Sequence, residues 1–498
     1  MTKRIRSLIL ALLMLVTALS ACSKPENGQA DTDVSQTQPA KITDDTSFKL
    51  SYTQSDSLDP FKSEAQNNQV LASLVFESLF DLDEAYELIP NIATDYEYTD
   101  SGAIRVQLDT NAKFSNGEKI TADDVVYSVR AALDSPAYGT GLTGISDAYA
   151  DNDSVIIELS YANPYAVKLL TFPIASMQDD KNGFPIGSGR YRYESIDSKT
   201  VLKANTENGF SPYITTISLV NIVATDSIDN AINIGNISYA YRDLSSDISK
   251  RISSSKKAVN INNLVFAGVN CKYGITSDAH IRRAISLAAD RSVLAQTAYS
   301  GYASPAASPF NPYFKELQDI SIFEAQGNAV SAKQEISQSE YANESLSLTI
   351  LVYKGNEAKT ALATLLKSQL ESAGFSVYID AEYYSDYMSK IRNYDYDIYI
   401  GEVKLTDDMC LYPLLDSSGS AGWGIDFENC QCVEKYASYM TGDTELGKFI
   451  LSFNEELPYI PLLYRKGMIC YTKAMNGDMQ GYYGNFFSNI ESWNFSTE

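Results

Sequence analysis

The stretch Asn111–Leu133, NAKFSNGEKITADDVVYSVRAAL, has the pattern of a turn followed by an amphipathic helix. Asn116 and Gly117 predict the turn, because both residue types tolerate a positive φ angle at little steric cost. Thr121 stands three residues before Asp124, which is the spacing of a capping box at a helix start. Apolar residues then recur at helical spacing: Val125, Val126, Val129 and Leu133. The stretch therefore predicts a well-capped helix with one buried face.

The composition is that of an acidic folded protein with more than one domain. The chain has 498 residues, which is enough for two or three domains. Its 39 basic and 63 acidic residues give a net charge of −24, and this argues against nucleic acid or anionic lipid as a partner. The only histidine, His280, follows Asp278 closely and is predicted to be a surface residue at a helix N-terminus. One histidine cannot build a site with two histidine ligands.

The first 22 residues have the features of a targeting segment. Positive residues (Lys3, Arg4 and Arg6) precede the apolar run 8–19, which is too short to span a membrane comfortably. The segment ends Leu-Ser-Ala-Cys at Cys22, which resembles a bacterial lipobox. The resemblance implies cleavage before Cys22 and lipid attachment to that residue. The alternative is an ordinary secretory signal with an incidental cysteine.

Residues 23–46 are predicted to form a disordered tether. They are rich in Ser, Thr, Gln and Asp and contain no aromatic residue. Such a segment cannot bury enough apolar area to offset the entropy lost on ordering. After a lipid anchor it would hold a folded body away from the membrane.

Several further segments have recognisable motifs in a fixed order. The strongest is DAHIRRAISLAADR at 278–291, in which Asp278 is the predicted helix cap. Shorter ones are LDP at 58–60, LIPNIA at 88–93, GSGRY at 187–191 and LPYIPL at 457–462. Together with the turn and helix at 111–133, they resemble the extracellular solute-binding proteins of family 5. These are the oligopeptide- and dipeptide-binding components of ABC importers.

This resemblance implies an α/β fold with the bilobed architecture of periplasmic binding proteins of type II. Two α/β lobes with mixed sheets, and an extra small subdomain, would close on a ligand by hinge bending. The implied lobe I is discontinuous and comprises 47–68, 187–268 and 475–498. The extra subdomain would be 69–186, and lobe II would be 269–474.

Local patterns predict further elements. Residues 346–399 have the alternation β-α-β-α-β, which indicates a parallel or mixed sheet with helices on its faces. Gly374 follows the first of these helices and is a plausible helix-terminating residue. Another apolar helix is predicted over Val70–Phe80.

The segment 401–410 is the first candidate for ligand binding. In the peptide-binding relatives, a Trp-x-x-Asp motif here supplies an aspartate to the amino terminus of the peptide. This chain has no tryptophan in the segment, but Asp407, Asp408 or Glu402 could meet an ammonium group. The alternative for each of them is a solvated loop carboxylate.

The glycine-rich loop 419–426 is the second candidate. Gly422 and Gly424 would let the backbone approach a ligand, and Trp423 between them is a candidate stacking wall. The alternative is that the tryptophan is a hydrophobic plug in a turn.

The cysteines do not lead to a metal prediction. Besides Cys22 there are five: Cys271, Cys410, Cys430, Cys432 and Cys470. An odd number allows at most two disulfides with one thiol left over. Cys430 and Cys432 together with Cys410 could form a soft metal site, but no second cysteine pair supports it. We therefore predict no bound metal and no cofactor.

These observations predict a monomeric substrate-binding lipoprotein of an ABC importer on the extracellular face of the cell membrane. It would capture peptides between its lobes and deliver them to a permease and ATPase complex, without catalysis. One alternative is a non-peptide solute, such as a sugar or metal chelate. Another is a surface-anchored hydrolase using acidic pairs such as Asp123–Asp124 and Asp407–Asp408. A third is a sensor that passes the ligand state to a membrane kinase.

Overall fold

The computed structural model describes residues 47–243, 252–317, 320–482 and 484–495. The predicted signal segment, the predicted tether and Cys22, the predicted lipidation site, lie outside these residues. Within them, the helices are α1 (Gln66–Val75), α2 (Ala122–Leu133), α3 (Thr225–Asn233), α4 (Ala279–Ala288), α5 (Arg291–Ala298), α6 (Ala329–Gln338), α7 (Glu357–Ala373), α8 (Tyr384–Arg392), α9 (Tyr412–Leu415), α10 (Gln431–Met440) and α11 (Leu446–Glu456).

Within the part of the chain that the structure describes, the strands form two four-stranded sheets, one seven-stranded sheet and two short ribbons. They are β1 (Phe48–Tyr52), β2 (Phe80–Leu82), β3 (Leu88–Pro90), β4 (Ala93–Tyr98), β5 (Ile104–Leu108), β6 (Ile145–Asp151), β7 (Ser154–Leu159), β8 (Tyr191–Ile196), β9 (Lys199–Ala204), β10 (Thr216–Asn221), β11 (Tyr239–Arg242), β12 (Ser255–Val269), β13 (Ala303–Pro305), β14 (Ser347–Tyr353), β15 (Ser376–Glu382), β16 (Ile398–Lys404), β17 (Tyr459–Tyr471), β18 (Met475–Asn476) and β19 (Asn494–Phe495).

The two four-stranded sheets share one hydrophobic core, and we call the part built on them the first body. One sheet has the order β1-β10-β9-β8 and the other has the order β4-β5-β7-β6. Helix α2 begins as its sequence predicts, because Thr121 and Asp124 form a reciprocal capping box. Its apolar face is buried in the shared core through Val125 and Val129. The turn before it is also confirmed, with Gly117 at a φ of 87°.

The seven-stranded sheet forms the second body. Its order is β11-β17-β12-β16-β14-β15, with β13 paired to β17. The predicted β-α-β-α-β unit is confirmed, since β14 pairs in parallel with both β15 and β16. Helices cover both faces, so successive residues of β12 alternate between two cores. Leu264 and Phe266 lie in one of these cores, while Val265 and Ala267 lie in the other.

Helix α4 of the second body confirms the prediction for its cap and for the histidine. The carboxylate of Asp278 accepts a hydrogen bond from the backbone N–H of His280 at 2.7 Å. The His280 ring lies at the helix start, where its Nδ1 is 2.8 Å from an oxygen of Glu335. The histidine therefore has a structural place beside a carboxylate at the start of the helix.

The predicted helix over Val70–Phe80 is too long at its C-terminal end. Helix α1 ends at Val75, and Phe76 is already extended. The cause is a tertiary contact, because the backbone N–H of Gly189 donates to the carbonyl oxygen of Val75 at 2.8 Å. Phe80 then begins a strand instead of continuing the helix.

Two long strands, β12 and β17, run from one body into the other. Val259 and Ile469 lie in the core of the first body, whereas Leu264 and Leu463 lie in the cores of the second. Their pairing is antiparallel and shifts register between Asn260 and Asn263. The predicted lobe boundaries stay a prediction. None of the described helices is long and apolar enough to cross a membrane.

Candidate functional site

A cavity of about 1380 Å³ lies between the two bodies. The wall of the first body comes from α1, from residues between 137 and 144, and from 484–486. The wall of the second body comes from β16 and the loop that follows it. Ordinary small-molecule sites measure roughly 300–1,000 Å³, so this cavity has room for a larger ligand.

Negative charge dominates the wall of the cavity. Seven carboxyl side chains line it, against two basic ones, Arg190 and Lys404. Glu402 and Asp243 are paired with Arg465, so the other five carboxyl groups are those that would favour a ligand carrying an ammonium group. The seven carboxyl residues are Glu77, Asp81, Asp243, Glu402, Asp407, Asp408 and Asp416.

Asp407 is a half-buried carboxylate on the wall of the cavity. Its Oδ2 accepts one hydrogen bond, at 3.0 Å, from the hydroxyl of Thr171 in the first body. Burial raises the pKa of Asp407 to about 6, and the nearby Asp408 adds to the rise. A carboxylate with one neutral partner has acceptor capacity left for a ligand.

Asp408 is more deeply buried, with 3% of its surface exposed, and it is well satisfied within the protein. Its carboxylate accepts hydrogen bonds from the Thr406 hydroxyl, from the Cys410 backbone N–H at 3.1 Å and from Asn163 Nδ2 at 2.6 Å. Burial nevertheless raises its pKa. These partners hold the loop after β16 against the first body.

Glu402 is engaged in a charge cluster of the second body. Its two oxygens lie 2.8 Å from Nε of Arg465 and 3.0 Å from Nζ of Lys359, and Asn263 donates to it at 2.9 Å. Burial opposes ionisation, but the charges of Lys359 and Arg465 prevail and lower the pKa of Glu402 to about 2. Its charge is therefore balanced before any ligand arrives.

The structure places Trp423, Gly422 and Gly424 outside the wall of the cavity. The indole N–H of Trp423 donates to the carbonyl of Ser420 at 3.1 Å, and its ring packs beside the core of the second body. A Cβ on Gly422 or Gly424 would lie 2.4 Å from a backbone carbonyl oxygen of the protein itself. Both glycines thus allow close packing of the chain, and ligand contact by this loop stays a prediction.

Other residues of the cavity were not predicted from the sequence. Arg190 lines the wall and donates to the carbonyl of Phe487 at 2.9 Å, and burial lowers its pKa. Tyr161 and Tyr412 add an aromatic wall, with ring centroids 4.9 Å apart and the rings edge to face. The only sequence signal was Arg190 itself, which stands where the resembling proteins usually have proline.

Of the two acidic pairs considered for a hydrolase, Asp407–Asp408 lines the cavity and Asp123–Asp124 does not. Asp124 belongs to the capping box of α2, where its carboxylate accepts a hydrogen bond from the Thr121 backbone N–H at 2.9 Å. Neither Asp123 nor Asp124 is among the residues lining the cavity. The Asp123–Asp124 pair is explained by the helix N-terminus, which favours negative charge.

The chain matches the family model of the bacterial extracellular solute-binding proteins, family 5, over residues 87–421. This match covers about two-thirds of the sequence, and the chain belongs to that family. The family consists of extracellular binding proteins rather than enzymes, so the chain acts outside the cytoplasm.

Individual relatives are distant. The chain is 25% identical over 320 residues to the nickel-binding protein NikA of Staphylococcus aureus, covering 60% of this chain and 63% of NikA. It is 22% identical over 462 residues to the oligopeptide-binding protein AppA of Bacillus subtilis, covering 82% of both. The unliganded open form of the murein tripeptide-binding protein MppA superposes with a TM-score of 0.70 at 19% identity, over 90% of this chain and 97% of MppA. These likenesses confirm the predicted periplasmic-binding-protein-like α/β fold.

The raised pKa of Asp407 leads to a prediction about stability. Because the folded state holds this proton more tightly than the unfolded state, the group destabilises the fold increasingly as pH rises from about 4 to about 6. We expect Asp407→Asn to raise the free energy of unfolding by about 1 kcal/mol at pH 7, after allowance for partial solvent screening, and to change little at pH 4. Urea unfolding at both pH values measures this. The exposed Asp153→Asn serves as control, and a variant less stable than wild type at pH 7 would contradict the prediction.

Proposed function

We propose that the protein is the substrate-binding component of an ABC importer and that it captures peptides in the cavity between its two bodies. A bound peptide would be released to a membrane permease driven by its ATPase. The single observation that carries the proposal is the acidic cavity of about 1380 Å³ with Asp407 on its wall. A carrier of this kind needs differential binding to one closed state and no catalytic group.

Asp407 is the residue best suited to hold the amino terminus of a peptide. Glu402 is already balanced by two cations, and Asp408 accepts three hydrogen bonds from the protein. Asp407 accepts a hydrogen bond from the neutral Thr171 hydroxyl, and burial destabilises its charge by more than the charges of Lys404 and Lys168 stabilise it, so an incoming ammonium group would be favourable. In this proposal, Asp407 performs the role that the Trp-x-x-Asp aspartate has in the peptide-binding relatives.

The opposite end of the ligand would meet the basic residues of the wall. Arg190 has two of its N–H groups on neutral acceptors, the carbonyl of Phe487 and the amide oxygen of Asn485. A guanidinium with remaining donors is suited to a carboxylate. The name of the Bacillus subtilis relative, an oligopeptide-binding protein, supports this ligand class.

The site of action is part of the same proposal. The lipobox-like sequence ending at Cys22 and the polar run 23–46 would anchor a monomer to the outer face of the cell membrane. This arrangement keeps the binding protein close to its permease.

Calorimetric titration with a defined oligopeptide and its N-acetylated form tests the proposal. We expect wild type to bind the free peptide at pH 7.5 and to lose about 100-fold in affinity for the acetylated one. Asp407→Asn should lose a similar factor for the free peptide and show no further loss on acetylation. Affinity for the free peptide should also fall as pH drops below about 6, because binding requires the ionised form of Asp407.

Asp153→Asn, at an exposed position, is the matched control and should bind as wild type does. Native mass spectrometry of protein purified from its own host adds an independent readout, for which we expect a ladder of peptide masses. Saturable binding of a metal chelate or sugar, with no heat from peptides, would overturn the peptide proposal. Equal binding of free and acetylated peptide would overturn only the role of Asp407.

A further inference from the structure

A second cluster of potential ligand groups lies away from the cavity. The thiols of Cys430 and Cys432 and one carboxylate oxygen of Glu456 all lie within 4.8 Å of one another. The Cys430 thiol donates to Glu456 Oε2 at 2.9 Å. None of these three residues lines the cavity between the two bodies. Within the described residues, this is the group whose side chains are arranged to hold a metal ion.

The fold builds this cluster from two helix ends. Cys430 is the cap residue of α10, and Cys432 lies in its first turn. Glu456 is the last residue of α11, and its carboxylate accepts from the backbone N–H groups of Gln431 and Cys432 at 3.1 and 3.0 Å. The Nε–H of Arg282 donates to the carbonyl of Glu456 at 2.7 Å and fixes that helix end. The three donor groups are therefore held in place by the backbone.

We infer that Cys430, Cys432 and Glu456 form a binding site for a thiophilic divalent cation of the Zn²⁺ class. In a tetrahedral site with bonds of about 2.3 Å to sulfur, the ligand atoms are roughly 3.8 Å apart, so small side-chain rotations complete the site. Two thiolates and a carboxylate carry more negative charge than the cation carries positive charge, so the three ligands can neutralise it.

A third cysteine, Cys271, follows the end of β12 and is not one of the three residues of this cluster. Its backbone N–H donates to the carbonyl of Gly424 at 2.9 Å, which ties it to the adjacent loop. Cys432 is buried, whereas Cys430, Glu456 and Cys271 are half-buried, so a cation can enter from the exposed side. The site links α10 and α11, and an ion bound there would stabilise the second body.

Cadmium titration of the reduced full-length protein tests the inference. We expect the ultraviolet thiolate-to-cadmium charge-transfer band to saturate at one equivalent and to disappear when Zn²⁺ is added in excess. Zn²⁺ should also raise the temperature of unfolding. Cys430→Ala and Cys432→Ala should each lose the band, whereas Glu456→Gln should keep the band and weaken binding by roughly tenfold or more.

The matched control is Cys470→Ala, because Cys470 is a fully buried thiol in a different core cluster. It should retain one equivalent of cadmium. Unfolding curves recorded without metal show that each variant is folded, and Glu456→Gln provides a test that keeps both thiols. The inference is overturned if reduced wild type gives no band, or if the band persists in both cysteine variants. A Cys430–Cys432 disulfide whose reduction restores no metal binding would overturn it equally.

Discussion

We expect Arg465→Met to lower the free energy of unfolding by about 3–5 kcal/mol at pH 7. The guanidinium of Arg465 is 4% exposed and lies between the carboxylates of Glu402 and Asp243. Methionine fills a similar volume but removes the positive charge, which leaves the carboxylate of Glu402 paired with Lys359. Breaking a buried pair by removing one member costs more than the pair contributes, because the remaining charge stays desolvated.

The pH dependence of this effect has a definite sign. In wild type, the pKa of Glu402 is lowered from 4.5 to about 2, so its stabilising contribution is present above about pH 4.5 and is lost as pH falls towards 2. Arg465→Met removes most of that contribution, and the difference from wild type should therefore be smaller at pH 3 than at pH 7. Urea unfolding at the two pH values measures it.

Arg130→Met provides the matched control for the arginine. Arg130 pairs with Asp147 at 2.9 Å, but their side chains are 57% and 49% exposed. An exposed pair contributes about 0–1 kcal/mol, so this variant should stay close to wild type. The prediction would be contradicted if Arg465→Met and Arg130→Met lowered the free energy of unfolding by the same small amount.

Gly189→Ala should destabilise the first body by about 3 kcal/mol or more. A Cβ at this position would lie 2.5 Å from the backbone carbon of Val75 and 2.6 Å from the carbonyl oxygen of Leu74. Those atoms belong to the last turn of α1, which cannot move aside without losing the hydrogen bond from Gly189 to Val75. Chemical denaturation followed by circular dichroism measures the loss.

The comparison for this variant is Gly447→Ala. Gly447 lies in α11, is exposed, and has no atom within 4 Å of a Cβ built on it. Alanine is about 1 kcal/mol better than glycine inside a helix, so this change should stabilise the protein slightly. If Gly189→Ala proves as harmless as Gly447→Ala, the close contact with α1 is not maintained in solution.

Local signals in the sequence were sufficient for much of the fold. The capping box of Thr121 and Asp124, the cap at Asp278 and the β-α-β-α-β unit depend on neighbours within a few residues, and all three are confirmed. The predicted end of α1 was wrong, because the observed end depends on a contact with Gly189, more than a hundred residues away along the chain. Local periodicity carries no information about such a contact.

The candidate site also contains residues whose roles depend on remote parts of the chain. In the sequence, Glu402 and Asp407 are two acidic residues in one segment, with equal claims to a ligand. In the structure, Arg465 and Lys359 form ion pairs with Glu402, whereas Asp407 accepts a hydrogen bond from the neutral hydroxyl of Thr171. Arg190, also on the cavity wall, could not be placed there because it comes from a remote part of the chain. The environment of a carboxylate, and not its identity, decides its chemistry.

The paired strands β12 and β17 connect the two bodies, and the pair bends more easily than its strands slide along each other. Their hydrogen-bonded register is interrupted between Asn260 and Asn263, where the ladder passes from one body towards the other. If one strand slid along its partner by one residue, its buried side chains would face the wrong core. Such a sliding movement therefore has a high free-energy cost. Flexing at the interrupted rungs breaks no regular pairing. We therefore expect the two bodies to move relative to each other mainly by bending of this strand pair at the interrupted pairing. Other relative movements should be much smaller.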